Sequence, residues 1–150
     1  VQDAAHVILT DQKELAEHVT IVDLIRNDLS LVANDVTVTR FRYLDQISTQ
    51  HKTLLQVSSE IAGVLPEGYQ NRLGDILVAL LPGGSVSGAP KVKTAEIIAQ
   101  AEGEPRGYYS GIVGYFDGTN LDSGVMIRYI ERKNDKFFYR SGGGITTQSK

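Results

Sequence analysis

The hydrophobic period of this chain switches between two values along its length. Up to about residue 101, apolar residues recur at steps of three and four in three segments, with two β-rich runs between the first and second. Beyond that point they recur at steps of two. The two periods demand different partners, because a helix buries one stripe and a strand buries alternate residues. Strands that follow one another without intervening helices pair antiparallel, so βαβ units are excluded. The pattern predicts an α+β fold, a layered antiparallel sheet with packed helices.

Asp11 and Glu14 form a D-x-x-E capping signature. Behind it Leu15, Val19, Val22, Ile25, Leu29 and Val32 predict an amphipathic helix of roughly 20 residues ending near Asn34. Glu17, Ile21, Leu24 and Asp28 fall on a different stripe of that helix, so Glu17 does not point at the main apolar seam. Residues 36–44 (VTVTRFRYL) and 53–62 predict strands. In the second, Leu55, Val57, Ser59 and Ile61 share one face, and Leu54, Gln56, Ser58 and Glu60 share a polar one. Residues 69–81 predict a helix. Residues 91–101 predict another, with Pro90 in its first turn, where a missing N–H does no harm. Residues 109–116, 121–131 and 136–141 predict a meander of strands turning at Asp117-Gly118 and Asn134-Asp135.

A length of 150 residues suffices for one domain with its own core. The net charge of −3, without a basic cluster, argues against nucleic acid as a partner. The absence of cysteine removes disulfides and thiolate metal sites and fits a reducing, cytoplasmic setting. No apolar run is long enough to span a bilayer, and the opening VQDAAHVILT lacks a signal-peptide pattern. The chain opens without methionine and stops just after a glycine run, so both ends are expected to be cut from a longer catalytic domain.

Three segments could carry chemistry. Residues 82–91, PGGSVSGAPK, join flexible backbone and free hydroxyls to a following helix N-terminus, which suits close approach to an anionic ligand. No Gly-Lys-Ser/Thr closes that loop, so it is not a phosphate loop. A hairpin turn centred between Gly118 and Thr119 places Tyr109 opposite Arg128, and opposed side chains lie about 5 Å apart at Cβ. A phenol beside a guanidinium matches a carboxylate; a cross-strand stacking pair is the alternative, and one bulge would break the register. Gly142-Gly143-Gly144 can offer bare N–H groups to an anion or form a tight turn. With no cysteine and no histidine cluster, a metal site would be all-oxygen and would favour Mg²⁺.

The segments AEHVTIVDLIRNDLS, PGGSVSGAPKVKTAEII, RGYYSGIVGYFDG, LDSGVMIRYIE and SGGGITTQS resemble, in that order, the C-terminal half of the chorismate-utilising enzymes. That family includes anthranilate synthase, aminodeoxychorismate synthase, isochorismate synthase and salicylate synthase. Lys93-Thr94 and the MIRYIE stretch lean toward component I of aminodeoxychorismate synthase, with anthranilate synthase as the alternative. The resemblance implies the C-terminal portion of the anthranilate synthase component I-like fold. It also implies chorismate as substrate, Mg²⁺ as cofactor, and a glutaminase subunit or fused domain supplying ammonia. Glu17 matches a glutamate that binds the Mg²⁺ holding the ring carboxylate. Tyr109 and Arg128 match the pair gripping the enolpyruvyl carboxylate, Gly142 and Gly144 match backbone donors of the carboxylate site, and Ser85 matches a hydroxyl residue lining the ring pocket.

Three departures bear on mechanism. Gln56 stands where many relatives carry a histidine beside the reacting ring, and glutamine can hydrogen-bond but cannot shuttle a proton near neutral pH. That substitution leaves a non-catalytic, chorismate-binding domain open as an alternative. The glutamates that complete the Mg²⁺ site in relatives lie just beyond the glycine run. The nucleophilic lysine of aminodeoxychorismate synthases is expected upstream of Val1, so the isolated chain is expected to be inactive.

Overall fold

The computed structural model describes residues 2–145. The fold is α+β, with every strand paired antiparallel in two-stranded sheets. The chain divides into two compact units, Val1–Ser85 and Val86–Lys150. A single core was expected from the length. Among the described residues, Val22, at 8 % exposure, is the one buried apolar residue, while Tyr115, Ile130 and Phe137 are more than two-thirds exposed. A lone two-stranded hairpin has no layer to cover its second face, so apolar residues on it stay in solvent.

In the first unit, α1 (Gln2–Thr10) precedes α2 (Gln12–Leu29). The Asp11 carboxylate between them accepts the N–H groups of Lys13 and Glu14 at 2.8 and 3.0 Å, the cap that the sequence predicts. The sequence reading did not foresee α1. Helix α2 stops five residues before Asn34. The Ser30 amide and hydroxyl both donate to the Arg26 carbonyl, at 3.0 and 2.8 Å, and the Ala33 N–H turns back to Leu29. Asp35 then takes φ +52° as β1 begins.

Strands β1 (Asn34–Ser48) and β2 (Thr53–Val64) run longer than 36–44 and 53–62 and pair antiparallel, with three register shifts in β1. The alternation expected in β2 holds at Leu55, Val57, Ser59 and Ile61, which are half-buried, while Leu54, Gln56 and Glu60 are exposed. A 3₁₀ turn, Tyr69–Arg72, leads into α3 (Leu73–Leu80). The glycine loop that follows is tied to α2. The Gly84 N–H donates to the buried Asp28 carboxylate at 2.6 Å. A Cβ on Gly84 would lie 3.0 Å from that carboxylate and 3.1 Å from Leu24 Cβ, so only glycine passes without displacement. A single helical turn, α4 (Gly84–Ser87), lies within the loop.

In the second unit, Pro90 flanks α5 (Lys91–Glu102) at the cap position, not in its first turn, and its carbonyl accepts the Thr94 N–H at 3.0 Å. Gly103 at φ +68° ends the helix. The predicted meander is two separate hairpins: β3 (Ile112–Phe116) with β4 (Leu121–Val125), and β5 (Tyr129–Lys133) with β6 (Lys136–Arg140). The expected strand 121–131 breaks where the Ile127 N–H folds back to the Val125 carbonyl and Arg128 adopts φ +55°. Both turns fall where predicted. Asp117 caps one, accepting the Thr119 and Asn120 N–H groups at 2.8 and 2.6 Å. Asn134 and Asp135, at φ +51° and +58°, form the other. Among the described residues, no single helix is long and apolar enough to cross a membrane.

Candidate functional site

The first hairpin keeps the predicted register from Phe116↔Leu121 back to Ile112↔Val125. One step further the register breaks. The Met126 carbonyl accepts from Ser110 and the Met126 N–H donates to Gly111, each at 2.9 Å, so two residues oppose one. Ser110 takes φ +64° to allow this. Tyr109 is thereby turned off the strand, and its N–H bonds the Arg106 carbonyl instead. Arg128 is exposed and forms no hydrogen bond or ion pair among the described residues. The expected cross-strand Tyr109–Arg128 pair is therefore not formed.

Tyr109 meets other residues. The Arg106 guanidinium lies 5.4 Å from its ring centroid. Arg106 donates to Glu102 through Nε and Nη2, at 2.7 and 2.5 Å, and to the buried Ser110 hydroxyl through Nη1 at 2.8 Å. This fork holds the Glu102 carboxyl below its ordinary pKa and raises that of Arg106. The Tyr109 hydroxyl sits against the Gly142 backbone, where an added Cβ would collide with it. A cavity of about 270 Å³ opens beside Arg106, Tyr109, Tyr139, Arg140 and Ser141. The structure thus brings Tyr109 and Gly142 together, and Arg128 is not among the residues lining this cavity. Around Gly144 an added Cβ would meet open space. Residues 146–149 of the SGGGITTQS segment lie outside the described residues.

Sequence reasoning missed Arg106, Glu102 and Ser110. The available signal was their spacing of four, but Gly103 ends the helix between Glu102 and Arg106, so the helical pairing rule did not point to them.

The first unit holds a second cavity, of about 340 Å³, where Glu14, Glu17 and His18 of α2 face Arg42 of β1 and Gln56 of β2. Two predicted site residues, Glu17 and Gln56, therefore line one space. Glu17 keeps 41 % of its side chain exposed and lies 3.7 Å from Lys13 Nζ. Gln56 Nε2 donates to the Ser58 hydroxyl at 3.1 Å. Ser85 is exposed and follows the glycine that Asp28 pins.

For a metal, the donor set is incomplete. Glu14 and Glu17 offer carboxylate oxygens of the kind a hard cation takes. Among the described residues, no group of three or more histidines or acidic residues could hold an ion. Those carboxylates fit part of a Mg²⁺ shell and do not close one.

With this geometry in place, comparison with known proteins decides the family. The model of the family described as chorismate binding enzyme matches residues 1–150. The chain belongs to that family. It is 58 % identical over 147 residues to an uncharacterized PabA-like protein of Haemophilus influenzae, a match covering 98 % of this chain and 45 % of the relative. It is 37 % identical over 148 residues to aminodeoxychorismate synthase component 1 of Bacillus subtilis, covering 97 % of this chain and 30 % of that enzyme. Among solved structures, anthranilate synthase component I from Streptococcus pneumoniae superposes with a TM-score of 0.83 at 34 % identity, covering 99 % of this chain and 33 % of that one. The chain spans less than half the length of these curated relatives.

Proposed function

We propose that the full-length protein is an aminodeoxychorismate synthase, component I. Chorismate and ammonia give 4-amino-4-deoxychorismate and water; over the reaction the C4–O bond is lost and a C4–N bond is gained. The ammonia is released from glutamine by a glutaminase subunit or fused domain. The match of the family model along the whole chain carries the substrate class. The MIRYIE and Lys93-Thr94 features and the likeness to the Bacillus subtilis enzyme support the choice of reaction.

Each unit has its own task in this reading. In the second, the Tyr109 hydroxyl, the Arg128 guanidinium and the Gly142 and Gly144 N–H groups donate to substrate carboxylate oxygens. Arg128 is free for that role because no described residue engages it. Arg106 holds Tyr109 through its ring and is itself neutralised by Glu102, so it orients and does not compete for the anion. In the first unit, Ser85 faces the ring, Gln56 hydrogen-bonds without moving a proton, and Glu17 is one Mg²⁺ ligand. When bound, Mg²⁺ would neutralise the ring carboxylate. The nucleophilic lysine is assigned to sequence upstream of this chain.

The test is to incubate the full-length protein with chorismate, Mg²⁺ and ammonium and to separate the products. 4-Amino-4-deoxychorismate without pyruvate is expected. Fluorescent anthranilate with equimolar pyruvate would assign the sibling reaction. Gln56 favours a second reading, a binding-only domain, and chorismate bound without conversion would establish it.

A further inference from the structure

None of the roles above uses Asp28, yet it is a buried carboxylate, 9 % exposed, on the stripe of α2 that also carries Glu17 and Leu24. Taking a carboxylate out of water is costly unless hydrogen bonds or charge offset it. One of its oxygens, Oδ2, accepts the Gly84 N–H at 2.6 Å. The loop reached by that bond has few side chains of its own to fix it. Leu81 closes α3, its N–H turning back to the Leu77 carbonyl at 3.1 Å. Pro82 then has no N–H to give, and Gly83 and Gly84 have no side chains to pack. Gly84 is itself buried, and an added Cβ would lie 3.0 Å from Asp28 Oδ2 and 3.1 Å from Leu24 Cβ. The loop backbone therefore lies directly against α2 at Gly84, and the next residue is Ser85, which is exposed.

We propose that Asp28 is a positioning residue for the substrate ring, acting through Gly84 to set the direction of the Ser85 hydroxyl. A bond from a backbone N–H to a carboxylate is short and strong. It fixes the Gly83–Gly84 peptide, so only the Gly84 dihedrals separate the anchor from Ser85. Without the carboxylate, two adjacent glycines let that peptide rotate, and the hydroxyl turns with it. Helix α2 thus governs two of the candidate site residues, Glu17 through its own side chain and Ser85 through Asp28. The role is one of hydrogen bonding and involves no proton transfer. The inference deepens the functional reading, since it rests on Ser85 facing the chorismate ring.

The test is a double-mutant cycle of Asp28→Ala and Ser85→Ala in the full-length protein, read by equilibrium titration with chorismate. Melting curves show which variants are folded at the assay temperature. Ser85→Ala should weaken binding by about 2- to 12-fold, the range for one neutral hydrogen bond. Asp28→Ala should cause a loss of similar size. The double variant should bind no more weakly than Ser85→Ala, because an absent hydroxyl cannot be misplaced. A role confined to stability would instead lower affinity equally with and without the hydroxyl. In ligand-free protein labelled with ¹⁵N-glycine, the Gly84 amide should exchange slowly with solvent, and faster in Asp28→Ala. Binding unaffected by Ser85→Ala, additive losses in the double variant, or a Gly84 amide exchanging at the rate of an open loop would each overturn the proposal. Where Asp28→Ala does not fold, Gly84→Ala displaces the same contact and replaces it in the cycle; if neither folds, Ser85→Ala and the wild-type amide decide. Folded wild type that binds no chorismate while Gly84 is protected counts against the chorismate reading; binding with additive losses counts against Asp28 alone.

Discussion

Replacing Gly142 with alanine tests the contact between the two predicted site residues that the second unit brings together. The new Cβ would collide with the Tyr109 hydroxyl, while the next nearest ring atoms, Cζ and Cε1, lie at 3.5 and 3.9 Å, ordinary contact distances. The whole conflict therefore belongs to one oxygen. Overpacking of this kind costs about 1–3 kcal/mol. Tyr109 can swing away, so the cost should appear as lost chorismate affinity, roughly 5- to 150-fold at about 1.4 kcal/mol per tenfold. In a Tyr109→Phe background the offending oxygen is gone, and Gly142→Ala should then change affinity by less than about 0.5 kcal/mol. The assay is a double-mutant cycle on the full-length protein, with chorismate affinity measured by titration and folding followed by thermal melts. Additive effects of the two substitutions would refute the contact. So would an affinity loss unchanged by removing the hydroxyl.

Other predictions rest on separate features. Gly84→Ala pushes on the Asp28 carboxylate and Leu24, and Asp28→Ala leaves the buried Gly84 N–H without that acceptor; either should destabilise by about 1–3 kcal/mol in denaturant unfolding. Asp11→Ala removes the α2 cap and should cost about 0.5–2 kcal/mol by the same measurement, with a matching loss of helical circular dichroism. The pKa of His18 is depressed on folding, so the unfolded chain binds more protons; the stability linked to it is present above the ordinary histidine value and lost as pH falls through the folded value. Glu102 and Asp117 behave likewise from the carboxylate range downward, so melting temperature should fall further there, and Arg106→Gln should reduce that lower loss without removing it.

Local chemistry made much of the fold legible. The Asp11 cap, the alternation in β2 and the two hairpin turns each depend on a few adjacent residues, and each lies where the pattern predicted. What escaped depends on backbone geometry. Positive φ at Asp35, Ser110 and Arg128 ended or bent elements whose side-chain pattern runs on without interruption. At Ser110 this set the register: the turn gave the correct pairing for Ile112 and Val125, and a two-against-one step then took Tyr109 out of cross-strand register with Arg128. The motif resemblance named Tyr109, Gly142, Glu17 and Gln56 as candidates and led to the correct family. It was silent on Arg106, Asp28 and His18, whose partners are visible only in three dimensions. Within each unit, apolar residues stay exposed because two-stranded sheets leave one face uncovered.

The most direct test of the central claim is equilibrium binding of chorismate to the full-length protein and to its Tyr109→Ala and Arg128→Ala variants. Wild type should bind saturably. Each variant should lose about 1.5–3 kcal/mol, the range for a hydrogen bond to a charged group, with its melting curve unchanged. Undetectable binding by folded wild type, or affinity unchanged from wild type in both variants, would contradict the assignment of this chain as the carrier of the chorismate carboxylate site.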